Sequence, residues 1–246
     1  MTAHTLQIWG RMSSLNVRKV VWAAQETGVA FTRTDAGMAF GIVKMPQYLA
    51  MNPNALVPTL QDGDLVLWES NVIVRYLLAK YGAPTLAASR AALPPEGALP
   101  GLGRPGAPAG NDALYPQDLA QRFDAERWMD WQQTALNRAG GPAFLQLIRT
   151  PEDKRDHGVI AQSVAAMTPL LEQLNTHLAD RAYLAGDHFG MADIPVGCDI
   201  HRWFGLPLAR LALPHLARPT LPHLDRWYAS VSSRPAARGV LELPLT

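Results

Sequence analysis

The sequence predicts an α+β domain, a compact open sheet with helices packed on it, followed by a second domain built only of helices. Three observations predict it. Roughly the first eighty residues read strand, helix, strand, and then strand, strand, helix. The stretch 83–113 carries no periodicity and is dominated by Ala, Gly and Pro. From Asp118 onward the long segments follow helical spacing.

The elements follow in order. Leu6-Gln7-Ile8-Trp9 alternates apolar and polar residues and stops at Gly10, a short strand. Ser13-Ser14 precede Val17, Val20, Val21 and Ala24, which share one helical face, and Gly28 supplies the left-handed residue that closes such a helix. Val29 to Thr34 reads as a second strand. Asp35 to Pro46 is an irregular loop, and Tyr48 to Met51 a helical turn stopped by Pro53. Val57 to Leu60 and Leu65 to Trp68 flank Asp62-Gly63, a hairpin signal. A helix beginning near Glu69 places Ile73, Tyr76, Leu77 and Lys80 on one side.

Residues 83–113 are too poor in large side chains to offset the entropy of ordering them. They are expected to be a flexible linker or insertion between domains at 1–82 and 114–246. Gly101-Leu102-Gly103-Arg104-Pro105-Gly106 matches a dinucleotide-binding pattern. No strand leads into it, however, and Pro105 falls where a helix should run. In the second domain, Phe123, Arg127, Trp128, Trp131 and Ala135 keep helical spacing. Ile160, Val164, Met167, Leu171, Leu174 and Leu178 do so more cleanly. Shorter helices fit Ala192 to Phe204 and Leu221 to Ser232.

Composition excludes several classes of function. Hydrophobic residues make up 48% of the 246 and charged residues 17%, enough for a real core. With 22 basic against 21 acidic side chains, the net charge of +1 sets up no field for a polyanion, so nucleic acid is not expected as a partner. The one cysteine, Cys198, excludes an internal disulfide, and the histidines show no ligand spacing, so no metal is expected. The first residues lack the basic-then-apolar order of a secretory leader. The uncharged stretch around Ala91 to Pro95 is broken by proline and too short for a membrane span. The expected location is the cytoplasm, with no membrane contact.

Three places can carry chemistry. Ser13 and Ser14 lie between a strand and a helix, beside free N-terminal amides and the positive end of a dipole. Either hydroxyl can be a plain helix cap, or it can donate to a bound thiolate. A thiol of pKa ~8.5 falls to about 7.5 or below beside such a helix end. Val57-Pro58 opens a strand with a proline, which confines it to an edge or a special bend. If the bond is cis, the Val57 amide and carbonyl are free to pair with an extended peptide. Glu69-Ser70 opens a helix. The pair reads as a cap, or as a site where serine takes a carboxylate and glutamate an ammonium group.

Taken together, Asn52-Pro53-Asn54-Ala55-Leu56-Val57-Pro58, Asp62-Gly63-Asp64 and Leu67-Trp68-Glu69-Ser70 resemble the N-terminal domain of the glutathione S-transferase superfamily. Gly190-Met191-Ala192-Asp193-Ile194 looks like the helix-start motif of its helical domain, with Gly190 where a Ser or Thr is usual. The resemblance implies a thioredoxin-like N-terminal domain before the all-α bundle. It also implies glutathione as co-substrate, and a homodimer. The absence of a tyrosine or cysteine ahead of the first helix is similar to the serine-type, theta- and phi-like classes.

In those classes the catalytic serine lies four residues before an arginine. Arg18 therefore indicates Ser14, with Ser13 the second candidate and Asn16 assisting. By the same resemblance Val57 pairs with the cysteinyl unit, Pro58 is cis, Glu69 and Ser70 hold the γ-glutamyl end, and Lys44 takes the glycyl carboxylate. Leu56 stands where a polar contact is common, and Asn54 is the alternative donor. Trp128, Trp131, His201, Arg202, Trp203 and Phe204 are candidates for the electrophile site, although tryptophans in a helical protein more often fill core. The implied reaction is attack of glutathione sulfur on a small apolar electrophile. Two other readings of the same fold are a non-catalytic glutathione-binding or interaction module and a glutathione-dependent peroxidase or lyase.

Overall fold

The computed structural model describes residues 5–82, 114–208 and 219–246. The expected linker at 83–113 and its glycine-rich pattern lie outside the described residues. Strands β1 (Leu6–Trp9), β2 (Phe31–Thr34), β3 (Thr59–Asp62) and β4 (Leu65–Trp68) form one mixed sheet in the order β2-β1-β3-β4. β1 runs parallel to β2 and antiparallel to β3, which pairs antiparallel with β4. The β1–β2 crossover is helix α1 (Leu15–Thr27), α2 (Pro46–Met51) precedes β3, and α3 (Ser70–Tyr81) follows β4. Gly28 closes α1 at φ 67. Leu6, Ile8 and Leu60 from the sheet are fully buried with Val17 and Val20 of α1 and Ile73 and Leu77 of α3.

The face predicted for α3 is only half right. Ile73 and Leu77 enter the core, but Tyr76 and Lys80 turn to the hairpin. There the buried Asp62 carboxylate accepts from Tyr76, from Lys80 at 2.8 Å and from Tyr81 at 2.6 Å. Asp62 thus does more than shape the turn, because it ties the hairpin to the end of α3.

The second half is helical. α4 (Leu119–Trp131) runs through a widened turn, Gln132–Leu136, into α5 (Asn137–Phe144) and a second widened turn, Leu145–Arg149. Pro142 lies within α5 and has no N–H to give, which loosens the ladder just before the second widened turn. α6 (His157–His177) buries Ile160, Val164, Met167, Leu171 and Leu174, the stripe its spacing predicts. On α4 the buried residues are Ala125, Trp128 and Met129, whereas Phe123 is 63% exposed. α7 (Asp193–Phe204) and α8 (Pro222–Ser232) complete the described helices. Asp193 opens α7 fully buried. It accepts from Gly190 N–H at 2.9 Å, Leu184 N–H at 3.1 Å and the Trp227 indole at 2.7 Å, so the lost hydroxyl at 190 is offset by three donors.

The halves meet along α1, which is buried continuously from Val17 to Ala24. A helix buried in this way has structure on both sides, and its two cations, Arg18 and Lys19, are buried with the apolar residues. A Cβ at Gly197 of α7 would stand 3.0 Å from the Trp22 ring, so this glycine lets the tryptophan pack close against α7. Arg234 grips Glu26 with two bonds, at 2.7 and 2.6 Å. At the centre, the fully buried Lys19 ammonium donates to Gln132 at 2.8 Å and to Asn71 and Gln133 at 3.3 Å. Gln132 in turn donates to Asp199, which is ion-paired with Arg202.

Burial pulls the Lys19 pKa down from 10.5 to about 8, against the opposing pull of Asp199. Between those values the unfolded chain holds a proton that the folded chain has released, so Lys19 adds stability as pH rises through that window. Urea unfolding of the wild type and Lys19→Met at pH 8 and 10.5 should show the difference moving in favour of the wild type, by on the order of 2–3 kcal/mol. A difference that is flat across the window would mean that Lys19 keeps its proton.

Candidate active site

The N-terminus of α1 emerges at the seam between the halves. Ser14 is the N-cap by backbone, with its carbonyl accepting from Val17 and Arg18 N–H at 3.1 and 3.0 Å. Its hydroxyl makes no capping bond, and no acidic residue occupies the first turn. The positive end of the helix is therefore left uncompensated beside a half-buried hydroxyl. Ser13 and Ser14 line a cavity of about 290 Å³ together with Leu15, Asn16, Phe144, Leu145, His201 and Arg202.

A second cavity of about 130 Å³ adjoins, lined by Val57, Pro58, Glu69, Ser70, Leu56 and Asn54, among others. Asn16 lines both, and its buried Oδ1 has no hydrogen-bond partner. The Val57–Pro58 bond is cis, and the Val57 N–H and C=O make no hydrogen bond to the described residues. Gly10 permits this geometry. At φ 149 it approaches so closely that a Cβ would stand 2.4 Å from Val17 and 3.3 Å from Val57.

The loop that presents Val57 is held from beneath. The Asn52 amide donates to the Leu56 carbonyl and to the Thr59 hydroxyl, each at 3.0 Å, while its oxygen accepts from Asn54 N–H at 3.1 Å. Tyr48 adds a bond to the same Leu56 carbonyl at 2.6 Å. Ala55 (φ 54) and Glu69 (φ 71) hold a backbone region that L residues rarely adopt. Strain of this kind persists where the surroundings over-determine the chain, commonly at binding sites.

Several expected residues fall elsewhere. Trp128 and Trp131 pack edge to face and line a separate cavity with Arg127 and His177, apart from the serines. Trp203 is buried against Gly140, and Phe204 packs on Tyr228. Trp203 and Phe204 thus fill core and a helix seam. Lys44 is exposed and lines neither cavity. His201 and Arg202 do reach the cavity that the serines line. Burial, then Arg18, pulls the His201 pKa below its ordinary value, and its Nδ1 meets the Tyr228 hydroxyl at 2.8 Å.

The sequence reading did not single out Arg11, Arg149, Asn137 or Gln133, all of which line one cavity or the other. Arg18 gives its bonds to the Met12, Leu243 and Pro244 carbonyls, fixing the β1–α1 loop to the last residues of the chain. Cys198 lies at the cavity wall, but burial pushes its thiol up to about 12, too high for a nucleophile at neutral pH.

The known relatives match both halves. The glutathione S-transferase N-terminal domain family matches residues 4–79 and the C-terminal domain family residues 158–230. Glutathione S-transferase GstB of Escherichia coli (strain K12) is 34% identical, covering 98% of this chain and 100% of the relative.

The chain belongs to the glutathione S-transferase family.

Among solved structures, the theta class glutathione S-transferase from the citrus canker pathogen Xanthomonas axonopodis pv. citri, with glutathione bound, is 41% identical. It covers 99% of this chain and 100% of that one at a TM-score of 0.80. Glutathione S-transferase 3 of Zea mays is 28% identical over 98% of this chain and 95% of its own length. The glutathione S-transferase fold is thus shown, a thioredoxin-like sheet domain and then a helical one. Among the described residues there is no cluster of three or more His, Cys, Asp or Glu fit to hold a metal ion, and no helix long and apolar enough to cross a membrane.

Asn52 is the central support of this loop: its side chain bonds the Leu56 carbonyl, the Thr59 hydroxyl and both the backbone and side-chain N–H of Asn54, and only the first two have Tyr48 as a second partner. Asn52→Ala should cost about 2–4 kcal/mol in denaturant unfolding. It should also weaken retention on immobilised glutathione by more than a surface substitution such as Gln47→Ala does.

Proposed function

We propose that this glutathione transferase holds the tripeptide across the two joined cavities and ionises its thiol at Ser14. The uncapped Ser14 hydroxyl at the bare positive end of α1 is the observation that carries the reading. The γ-glutamyl end fits the smaller cavity, with Glu69 taking its ammonium group and Ser70, at the start of α3, its carboxylate. The cysteinyl unit then pairs with the unpartnered amide and carbonyl of Val57, and its sulfur reaches the seam where Asn16 lines both spaces. Ser14, or Ser13 behind it, donates to the thiolate.

Leu15, Phe144 and Leu145 form an apolar wall for a small electrophile on the far side. Positioning and a pre-set donor supply the rate. The sulfur attacks, the carbon–sulfur bond forms, and the leaving group departs with its electron pair. Reduced glutathione is the cytosolic thiol buffer, which supports a cytoplasmic location for the reaction.

Titration of the ultraviolet thiolate absorbance of bound glutathione tests the assignment directly. In the wild type the thiol should ionise at least about one unit below its free value, and Ser14→Ala should restore most of that shift. The mutation should lower kcat by about 10²–10³-fold. Equal thiol pKa values in the two proteins would remove Ser14 from the mechanism, and tight binding without any shift would favour a non-catalytic binding module.

The same reading includes a homodimer. Arg75 bridges α3 to Glu126 and Asp130 of α4, and both helices leave apolar side chains outside, with Val72 43% and Phe123 63% exposed. Leu56 and Trp68, which line the smaller cavity, are exposed as well. Exposed apolar side chains on these two helices and beside the smaller cavity are the surface that a second copy would cover. Sedimentation should give twice the 26.9 kDa chain mass, and Phe123→Glu should shift the population toward single chains. A wild type that sediments as a single chain at micromolar concentration would refute the dimer.

A further inference from the structure

The helical half sends one side chain into the cavity that Glu69 and Ser70 line. Among the described residues, Gln133 is the only one lining that space that does not come from the first half. It sits beside Gln132 in the widened turn after α4, and both side-chain oxygens face the same buried ammonium. Lys19 donates to Gln132 at 2.8 Å and to Gln133 at 3.3 Å. Consecutive residues of a regular α-helix point about 100° apart, so the widened turn is what brings two neighbours onto one cation. The two glutamines then part. Gln132 gives its amide N–H to Asp199, and its oxygen also accepts from Asn71, so it is spent on structure. Gln133 is half-buried, and its Nε2 makes no hydrogen bond to the described residues.

A lysine ammonium only donates, so the atom of Gln133 that faces it has to be the oxygen. That fixes the amide, with its acceptor turned to Lys19 and both of its N–H donors on the remaining end. A side chain held in this way can serve an acceptor but not an ammonium group. Ser70 lines the same cavity, buried at the start of α3, and its hydroxyl makes no hydrogen bond to the described residues. Glu69 is the one acidic side chain lining the space, and it lies close enough to Lys19 to act on its charge. The cavity thus offers a carboxylate on one side and unspent donors from two different halves on the other.

We propose that Gln133 is a specificity-determining residue for glutathione, donating from the helical half to the α-carboxylate of the γ-glutamyl end while Ser70 donates from the sheet half, with Lys19 the positioning residue that fixes the Gln133 amide. The inference rests on the placement of glutathione proposed above and adds a contact to it. One carboxylate then joins the two halves across their seam. A thiol that lacks this group leaves buried donors unpaired, which is how a site built for hydrogen bonding rejects a close analogue.

Glutathione and γ-aminobutyryl-cysteinylglycine differ only by that α-carboxylate, so they form the test pair, with dissociation constants read by calorimetry. The wild type should prefer glutathione by about a hundredfold. Gln133→Met, similar in length but without donors, should cut the preference by about tenfold, weakening glutathione and leaving the analogue nearly unmoved. Gln133→Glu keeps its bond to Lys19 but sets a carboxylate against the ligand's, so the preference should fall further, whereas a merely structural role would be kept. Lys19→Met should lower the preference several-fold in the wild type and leave it unmoved in Gln133→Met, as two residues acting through one contact require. The two Gln133 variants carry the test where Lys19→Met fails to fold. A preference unchanged in both of them would overturn the inference and leave the placement of glutathione intact. A preference that falls in Gln133→Met but not in Lys19→Met would overturn the role of Lys19. A wild type that binds the two thiols equally would defeat the inference and the γ-glutamyl placement together.

Discussion

A buried ammonium group has to find oxygen, and Lys19 finds it on both sides of the seam between the halves. Asn71 opens α3 in the first half, while Gln132 and Gln133 come from the widened turn after α4 in the second. Desolvation makes such a group a poor source of net stability, but it penalises every arrangement in which those oxygens are elsewhere. The network continues through Gln132 to Asp199 and Arg202, and so reaches the wall of the cavity beside the serines. The interdomain register and the cavity are therefore set by the same chain of contacts. Trp22 on Gly197 and Glu26 with Arg234 hold the rest of α1 to that register.

The position of the serines follows. α1 is clamped along its length, so its N-terminus projects at a fixed place between the cis-Pro58 loop and a helical wall. Asn52 fixes that loop from below and Gly10 lets it approach, while Arg18 ties the β1–α1 turn to Leu243 and Pro244. The surroundings are cationic on one side, with Arg11 and Arg149, and dipolar on the other. Both favour a thiolate, because each stabilises the charged form over the neutral thiol.

Much of this was legible in the residues themselves. The hairpin at Asp62-Gly63, the close of α1 at Gly28 and the stripe on α6 depend on neighbours a few positions away, and the structure has them where the pattern indicates. The run from Asn52 to Pro58 was legible as a motif, but its reason was not. Only the coordinates show Asn52 bonded to Leu56 and Thr59 beneath the cis bond. The tryptophans misled as site candidates because a large ring serves a core as well as a pocket. Trp128 and Trp131 turned to another face, and Trp203 turned inward.

The sequence by itself determined the order of elements and the family, since periodicity, caps and turn residues act over short stretches of chain. It could not determine which arginines are free. Arg18, Arg202, Arg11 and Arg149 are the same residue type, and their fates depend on partners brought in by folding. Arg18 meets Leu243, 225 positions away, and Arg149 meets the Ser13 carbonyl across 136 positions. Whether a guanidinium is spent on structure or left unpaired is set by contacts between distant segments, and those exist only once the two halves have closed on α1.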